Sequence, residues 1–197
     1  MLRTRELIAV RPVRLVAEKA LVVLVIAIGC IESLMLMAST ANAQDARSAT
    51  SMATLKDKTA KLGAPKIEGT ETIIGSKSAP ALYFGSTKMN NNFTLVDEVA
   101  KEGGPGMAAT LFVKAGVQQA RAAAGAEYIR VATSVRLPDG RRAVGTPLGS
   151  PALDSIKAGE SYYGEVEVLG TAYITDYEPI KDASGETIGA YFVGYKK

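Results

Sequence analysis

The sequence of 197 residues contains no histidine, no tryptophan and a single cysteine. Each absence removes a class of chemistry. Without histidine there is no Ser-His-Asp or Cys-His nucleophilic catalysis, and no histidine-ligated zinc or haem. A lone cysteine excludes an internal disulfide, a four-cysteine zinc site and a cysteine-ligated iron–sulfur cluster. A formal net charge of +3 is too small for the concentrated basic surface that nucleic acid demands, so no nucleic-acid partner is expected. Aromatic residues are few, at 6%, and all of them lie beyond residue 82.

What the chain does have is unevenly spread. The first 43 residues are much the more apolar part. They open with Arg3, Arg5, Arg11, Arg14 and Lys19, and run uncharged from Ala20 to Ile31. They close on the small residues Ala38-Ser39-Thr40-Ala41-Asn42-Ala43. A basic start, an apolar centre and an Ala-x-Ala end describe an export signal peptide over 1–43, cleaved after Ala43. Two alternatives stay open. An uncleaved anchor would place Glu32 in the membrane at a cost of about 3 kcal/mol. Ala27-Ile28-Gly29-Cys30 is also loosely like a lipoprotein processing site. With cleavage Cys30 is lost, and the expected location is periplasmic or secreted; without it, the chain is membrane-anchored.

Residues 44–197 read as one α+β domain. Met52, Leu55 and Leu62 recur at helical spacing, with lysines between them, and predict an amphipathic helix over 45–62 that ends at Gly63 and Pro65. Residues 66–79 alternate weakly, as a short hairpin or extended loop. Asn90-Asn91-Asn92 offers an N-cap to a second helix carrying Phe93, Val96 and Val99. From Met107 the period becomes two. Met107–Lys114, Tyr128–Arg136, Tyr162–Leu169, Thr171–Ile180 and Thr187–Tyr195 are strand-like, and a short helix is expected over Pro151–Lys157. Turn residues separate several of these runs, as in Pro138-Asp139-Gly140 and Asp182-Ala183-Ser184-Gly185. Residues 117–126 read as an inserted loop or helical turn. The expected product is an antiparallel five-stranded sheet with one face packed and the other available to a ligand.

The order of these pieces carries a resemblance. Ala81-Leu82-Tyr83-Phe84-Gly85, Asn90-Asn91-Asn92-Phe93 and Val96-Asp97 are followed by Ala109–Lys114, Ile129–Val135 and Pro138–Thr146. The last third adds Tyr162-Tyr163-Gly164, Tyr173, Thr175, Tyr177-Glu178-Pro179-Ile180, Ile188-Gly189 and Tyr191-Phe192-Val193-Gly194-Tyr195. Over roughly 50–197 the string resembles the single Cache sensor domains of bacteria, most closely the fused Cache type-3/type-2 group. The resemblance implies a PAS-like antiparallel sheet behind a long N-terminal helix, an extracytoplasmic location and a small-molecule ligand in signal transduction. Residues 117–126 lengthen a connection that is usually a tight turn. No signalling domain follows the last strand here, so a free-standing binding protein is the expectation.

Alternation sets Tyr128, Arg130, Ala132 and Ser134 on one strand face and the apolar Ile129, Val131 and Val135 on the other. The Arg130 guanidinium can grip a carboxylate bidentately; the alternative is a surface arginine paired with a glutamate. Tyr173, Thr175 and Tyr177 share a face, whereas Tyr162 and Tyr163 oppose one another. Tyrosine gives an apolar wall and one hydroxyl at low entropic cost. The candidate ligand set is Arg130, Tyr128, Tyr163, Tyr173, Thr175, Tyr177, Thr146 and Lys114, with no catalytic residue, no metal and no cofactor.

Other signals are weak. Gly103-Gly104-Pro105-Gly106 lacks the Gly-Lys-Ser/Thr of a phosphate loop, and Glu165 and Glu167 read as a solvated strand edge. Asp176, Glu178 and Asp182 lack the EF-hand calcium pattern. The expected function is therefore binding of a small polar metabolite such as an organic acid, alone or with a membrane receptor. The alternative is a structural module, a degenerate domain without ligand that dimerises or docks through an exposed apolar stripe on its N-terminal helix.

Overall fold

The computed structural model describes residues 46–74, 77–116 and 128–197. The leader with Cys30 and the insertion 117–126 lie outside the described residues. Gln44–Lys197 form one compact unit of the chain.

The period of two that begins at Met107 becomes a five-stranded sheet. Its strands are β4 (Met107–Lys114), β5 (Tyr128–Thr133), β6 (Tyr162–Val168), β7 (Thr171–Lys181) and β8 (Thr187–Lys196). They lie in the order β5-β4-β8-β7-β6, and each neighbouring pair is antiparallel. The turns follow from their residues. Val168 faces Thr171 across a two-residue loop whose Leu169 and Gly170 have φ of 52° and 82°, the all-positive geometry that suits the twist of a hairpin. After β7 the Asp182 carboxylate accepts hydrogen bonds from the amides of Ser184 and Glu186, at 2.9 and 3.1 Å. Central β8 is buried along most of its length. It needs Gly189, because a Cβ there would lie 2.3 Å from the carbonyl oxygen of Phe112.

A second, three-stranded sheet lies ahead of the main one in the chain, formed by β1 (Pro65–Ile74), β2 (Lys77–Phe84) and β3 (Thr87–Lys88). The weak alternation over 66–79 is thus a hairpin, though longer than its pattern suggested. Helix α1 covers residues 46–62, and α2 runs from Thr94 to Glu102. The N-cap of α2 is Phe93, with no side-chain cap bond, and of the asparagines only Asn92 serves the helix start, its Oδ1 accepting from the Thr94 amide at 3.4 Å. Asn90 instead turns inward, accepting from the Leu82 amide and donating to the Pro80 carbonyl, each at 3.0 Å. It satisfies two backbone groups of β2 that would otherwise be buried without partners.

One apolar cluster lies between the main sheet and these elements, with Met52, Leu55, Val96, Val99, Leu111, Val131 and Val193 among its members. Helix α1 is tied to the sheet by Lys56–Glu178, at 2.5 Å, and by a 3.1 Å hydrogen bond between the Thr59 and Tyr191 hydroxyls. Met52 and Leu55 are therefore spent within the domain. The exposed apolar stripe that would have favoured docking through this helix is absent among the described residues, where only its last member, Leu62, is exposed.

The other face of the sheet is not open, as expected from alternation, but covered. Residues 135–157, including helix α3 (Ala152–Lys157), fold back over it. They form a second cluster in which Val135, Leu148, Ala152 and Ile156 meet Phe112, Tyr128, Tyr173, Tyr177 and Phe192. Every residue of β5 is buried as a result. Strict alternation also fails on β5: a register shift opposite Leu111 and Phe112 places Ala132 with Ile129 and Val131 in the first cluster, away from Tyr128.

Candidate functional site

Among the described residues Arg130 is the only buried charged side chain, 3% exposed. This overturns the reading of it as a surface arginine. Its backbone is clamped by the segment that crosses beside β5. The Arg130 amide donates to the Thr146 carbonyl at 3.0 Å, the Gly145 amide donates to the Arg130 carbonyl at 2.8 Å, and Leu148 donates to Tyr128 at 3.0 Å. The guanidinium sits 4.9 Å from the centre of the Phe112 ring. Nη1 donates to Thr146 Oγ1 at 2.5 Å, while buried Nε has no hydrogen-bond partner. No carboxylate among the described residues pairs with it.

Tyr173 and Tyr177 complete the charged centre. Tyr177 is packed at 4.9 Å from Phe192 and 6.4 Å from Phe112, and Tyr173 meets Phe192 edge-on at 6.4 Å. Burial lowers the Arg130 pKa to about 10, opposed by the two tyrosines, so the group remains a cation at neutral pH. Burial also raises the pKa values of both phenols, against the pull of Arg130. Both stay protonated across the physiological range and can donate hydrogen bonds.

A cavity of about 200 Å³ opens beside this centre, lined by Arg130, Tyr177, Leu148, Val166, Val168 and residues of the 147–150 turn, with Glu167 and Leu169 at its edge strand. Pockets for drug-sized ligands begin near ~300 Å³, so the occupant is small. Tyr173 does not line this cavity; a desolvated cation, the Tyr177 phenol and aliphatic walls can take up one anionic head group with a short apolar remainder.

The remaining candidates are distributed differently. Tyr128 is buried under the sheet next to Phe112, and with Lys114 it also lines a separate, more open concavity of about 550 Å³. Lys114 pairs there with Glu186 at 3.0 Å, away from Arg130. The Thr175 hydroxyl donates to the Gly164 carbonyl at 2.8 Å, spanning β6 and β7. Tyr163 is half exposed on the opposite face; its neighbour Tyr162 packs against the inner cluster instead. Glu165 is taken by Lys197 at 2.8 Å, and no group of acidic residues, among the described residues, is arranged to hold a metal ion.

Sequence reasoning missed the aromatic floor of Phe112 and Phe192 and the wall made by Leu148, Val166 and Val168. Phe192 was within reach, because it faces Tyr177 across the β7–β8 register and therefore shares its side of the sheet.

Residues 31–197 match the model of the Cache 3/Cache 2 fusion domain. No curated protein and no solved structure matches the chain. Among the described residues no helix is long and apolar enough to cross a membrane.

Proposed function

The chain belongs to the Cache 3/Cache 2 fusion domain family, and from that premise we propose that it binds a small organic acid outside the cytoplasm, alone or in concert with a membrane receptor. Cache domains are in general extracellular sensors of small molecules. The observation that supports an acid is the buried Arg130 guanidinium, which borders a small cavity and forms no ion pair among the described residues. Burying an unpaired charge is costly, and the cost is offset when an opposite charge arrives. A carboxylate does this through two parallel hydrogen bonds. The reading is one of binding without chemistry: the cavity is walled by Leu148, Val166 and Val168, with Arg130 and Tyr177 as donors to an anion and Glu167 at its edge.

Thermal-shift screening with organic acids, amino acids and purines tests the assignment. Small monocarboxylates should raise the melting temperature of the wild-type protein, through mass action on the folded state, and should leave Arg130→Ala unmoved. A screen in which no acid stabilises the wild type, or in which Arg130→Ala responds equally, rules the assignment out.

A further inference from the structure

We propose that Thr146 is a positioning residue that fixes the plane of the Arg130 guanidinium, making the cavity selective for planar carboxylates over tetrahedral anions. The proposal rests on the acid-binding reading of the same cavity and adds the source of its selectivity.

The Thr146 hydroxyl donates its proton to the Ala143 carbonyl at 2.7 Å. What it offers to Arg130 is therefore a lone pair of fixed direction, and Nη1 meets it. The Thr146 carbonyl meanwhile holds the Arg130 amide, so one residue restrains both ends of the arginine. The Phe112 ring bounds the guanidinium further, at 4.9 Å. A guanidinium is planar, and only a fork of fixed orientation matches the two coplanar oxygens of a carboxylate. A sulfonate presents a third oxygen out of that plane. Where it meets the apolar wall of Leu148, Val166 and Val168, that oxygen loses water.

Replacing Thr146 by valine keeps the branched shape and removes the acceptor, freeing the guanidinium to tilt. Serine keeps the acceptor. The test is calorimetric titration of the wild-type protein, Thr146→Val and Thr146→Ser with propionate and with methanesulfonate, which have similar bulk and the same charge. The wild type should prefer propionate. Thr146→Val should weaken propionate binding at least tenfold and methanesulfonate binding much less, and Thr146→Ser should restore the wild-type ratio. General loosening of the fold would lower both affinities together, so an equal loss for the two probes in Thr146→Val overturns the proposal. Unchanged propionate binding in that variant does the same. A wild type that binds neither probe overturns the acid-binding reading itself.

Discussion

Arg142 holds Asp97 with two parallel hydrogen bonds, Nη1 to Oδ1 and Nη2 to Oδ2, each 2.7 Å long. The same Nη1 also donates to the Thr133 carbonyl at 2.7 Å, and the guanidinium lies 4.3 Å from the centre of the Phe93 ring. One side chain thus joins α2, the end of β5 and the hairpin after it. That hairpin begins the segment that covers the sheet and walls the cavity, so the pair supports the site from a distance.

Asp97→Asn removes the charge and half of the fork while keeping the shape. Charge-assisted hydrogen bonds contribute about 1.5–3 kcal/mol when buried. Asp97 is 45% exposed, and screening by solvent reduces the expected loss to about 1 kcal/mol. In a domain of this size that lowers the melting temperature by about 2–4 °C. Scanning calorimetry checks it, and a variant as stable as the wild type would show that the pair contributes nothing.

Arg130→Met should separate stability from function. Methionine fills much of the same volume without a charge, and replacing buried ionic groups by apolar ones of similar size is commonly neutral or stabilising, by up to ~4 kcal/mol. The variant should unfold at the same or a higher urea concentration than the wild type and no longer respond to any acid. A marked loss of stability would mean that the guanidinium is held by protein groups and has no capacity to spare for a ligand.

Asp176 gives a dependence on pH. It lies with Glu178 on the side of β7 beneath α1; burial, followed by repulsion from Glu178, raises its pKa from 3.8 to about 6, and Lys56 opposes the shift. On the same face the register places Tyr163 of β6 and Val193 of β8 opposite it, with Glu165 and Tyr191 nearby. A carboxyl whose pKa is higher folded than unfolded favours folding while protonated. Its favourable contribution is complete below pH ~4 and is lost as pH rises through about 6. Asp176→Asn mimics the protonated group at every pH. Its stability advantage over the wild type, read from urea midpoints, should be small at pH 4 and clear at pH 7.5. An advantage that does not grow over this interval would contradict the raised pKa.

The strands were legible because their residues carry two concordant signals, β-branched or aromatic side chains at a period of two and turn residues between them. Tyr173 and Tyr177 could be placed on one side of β7 for that reason. Arg130 could not be placed as firmly. A polar residue at every second position looks the same whether water or protein lies beyond it. The covering of that face comes from residues 135–157, whose glycines, prolines and scattered apolar side chains have the texture of a surface loop. Asn90 shows a related ambiguity. A run of asparagines satisfies any nearby backbone amide, and only the fold determines that β2 is nearer than the first turn of α2. Lys114 and Tyr163 were placed by residue type alone, and neither lines the cavity beside Arg130.

The turn that walls the cavity is also stitched to β5 through the amides of Arg130, Gly145 and Leu148. Wall and anchor therefore behave as one piece of sheet, and this side of the pocket cannot yield without unzipping the strand that carries the charge. The opposite wall is β6, paired along one edge only. An arriving ligand would meet one wall stitched to β5 and one wall held from a single edge. Strand β6 in turn is hydrogen-bonded to β7, the strand on which Glu178 holds α1 through Lys56.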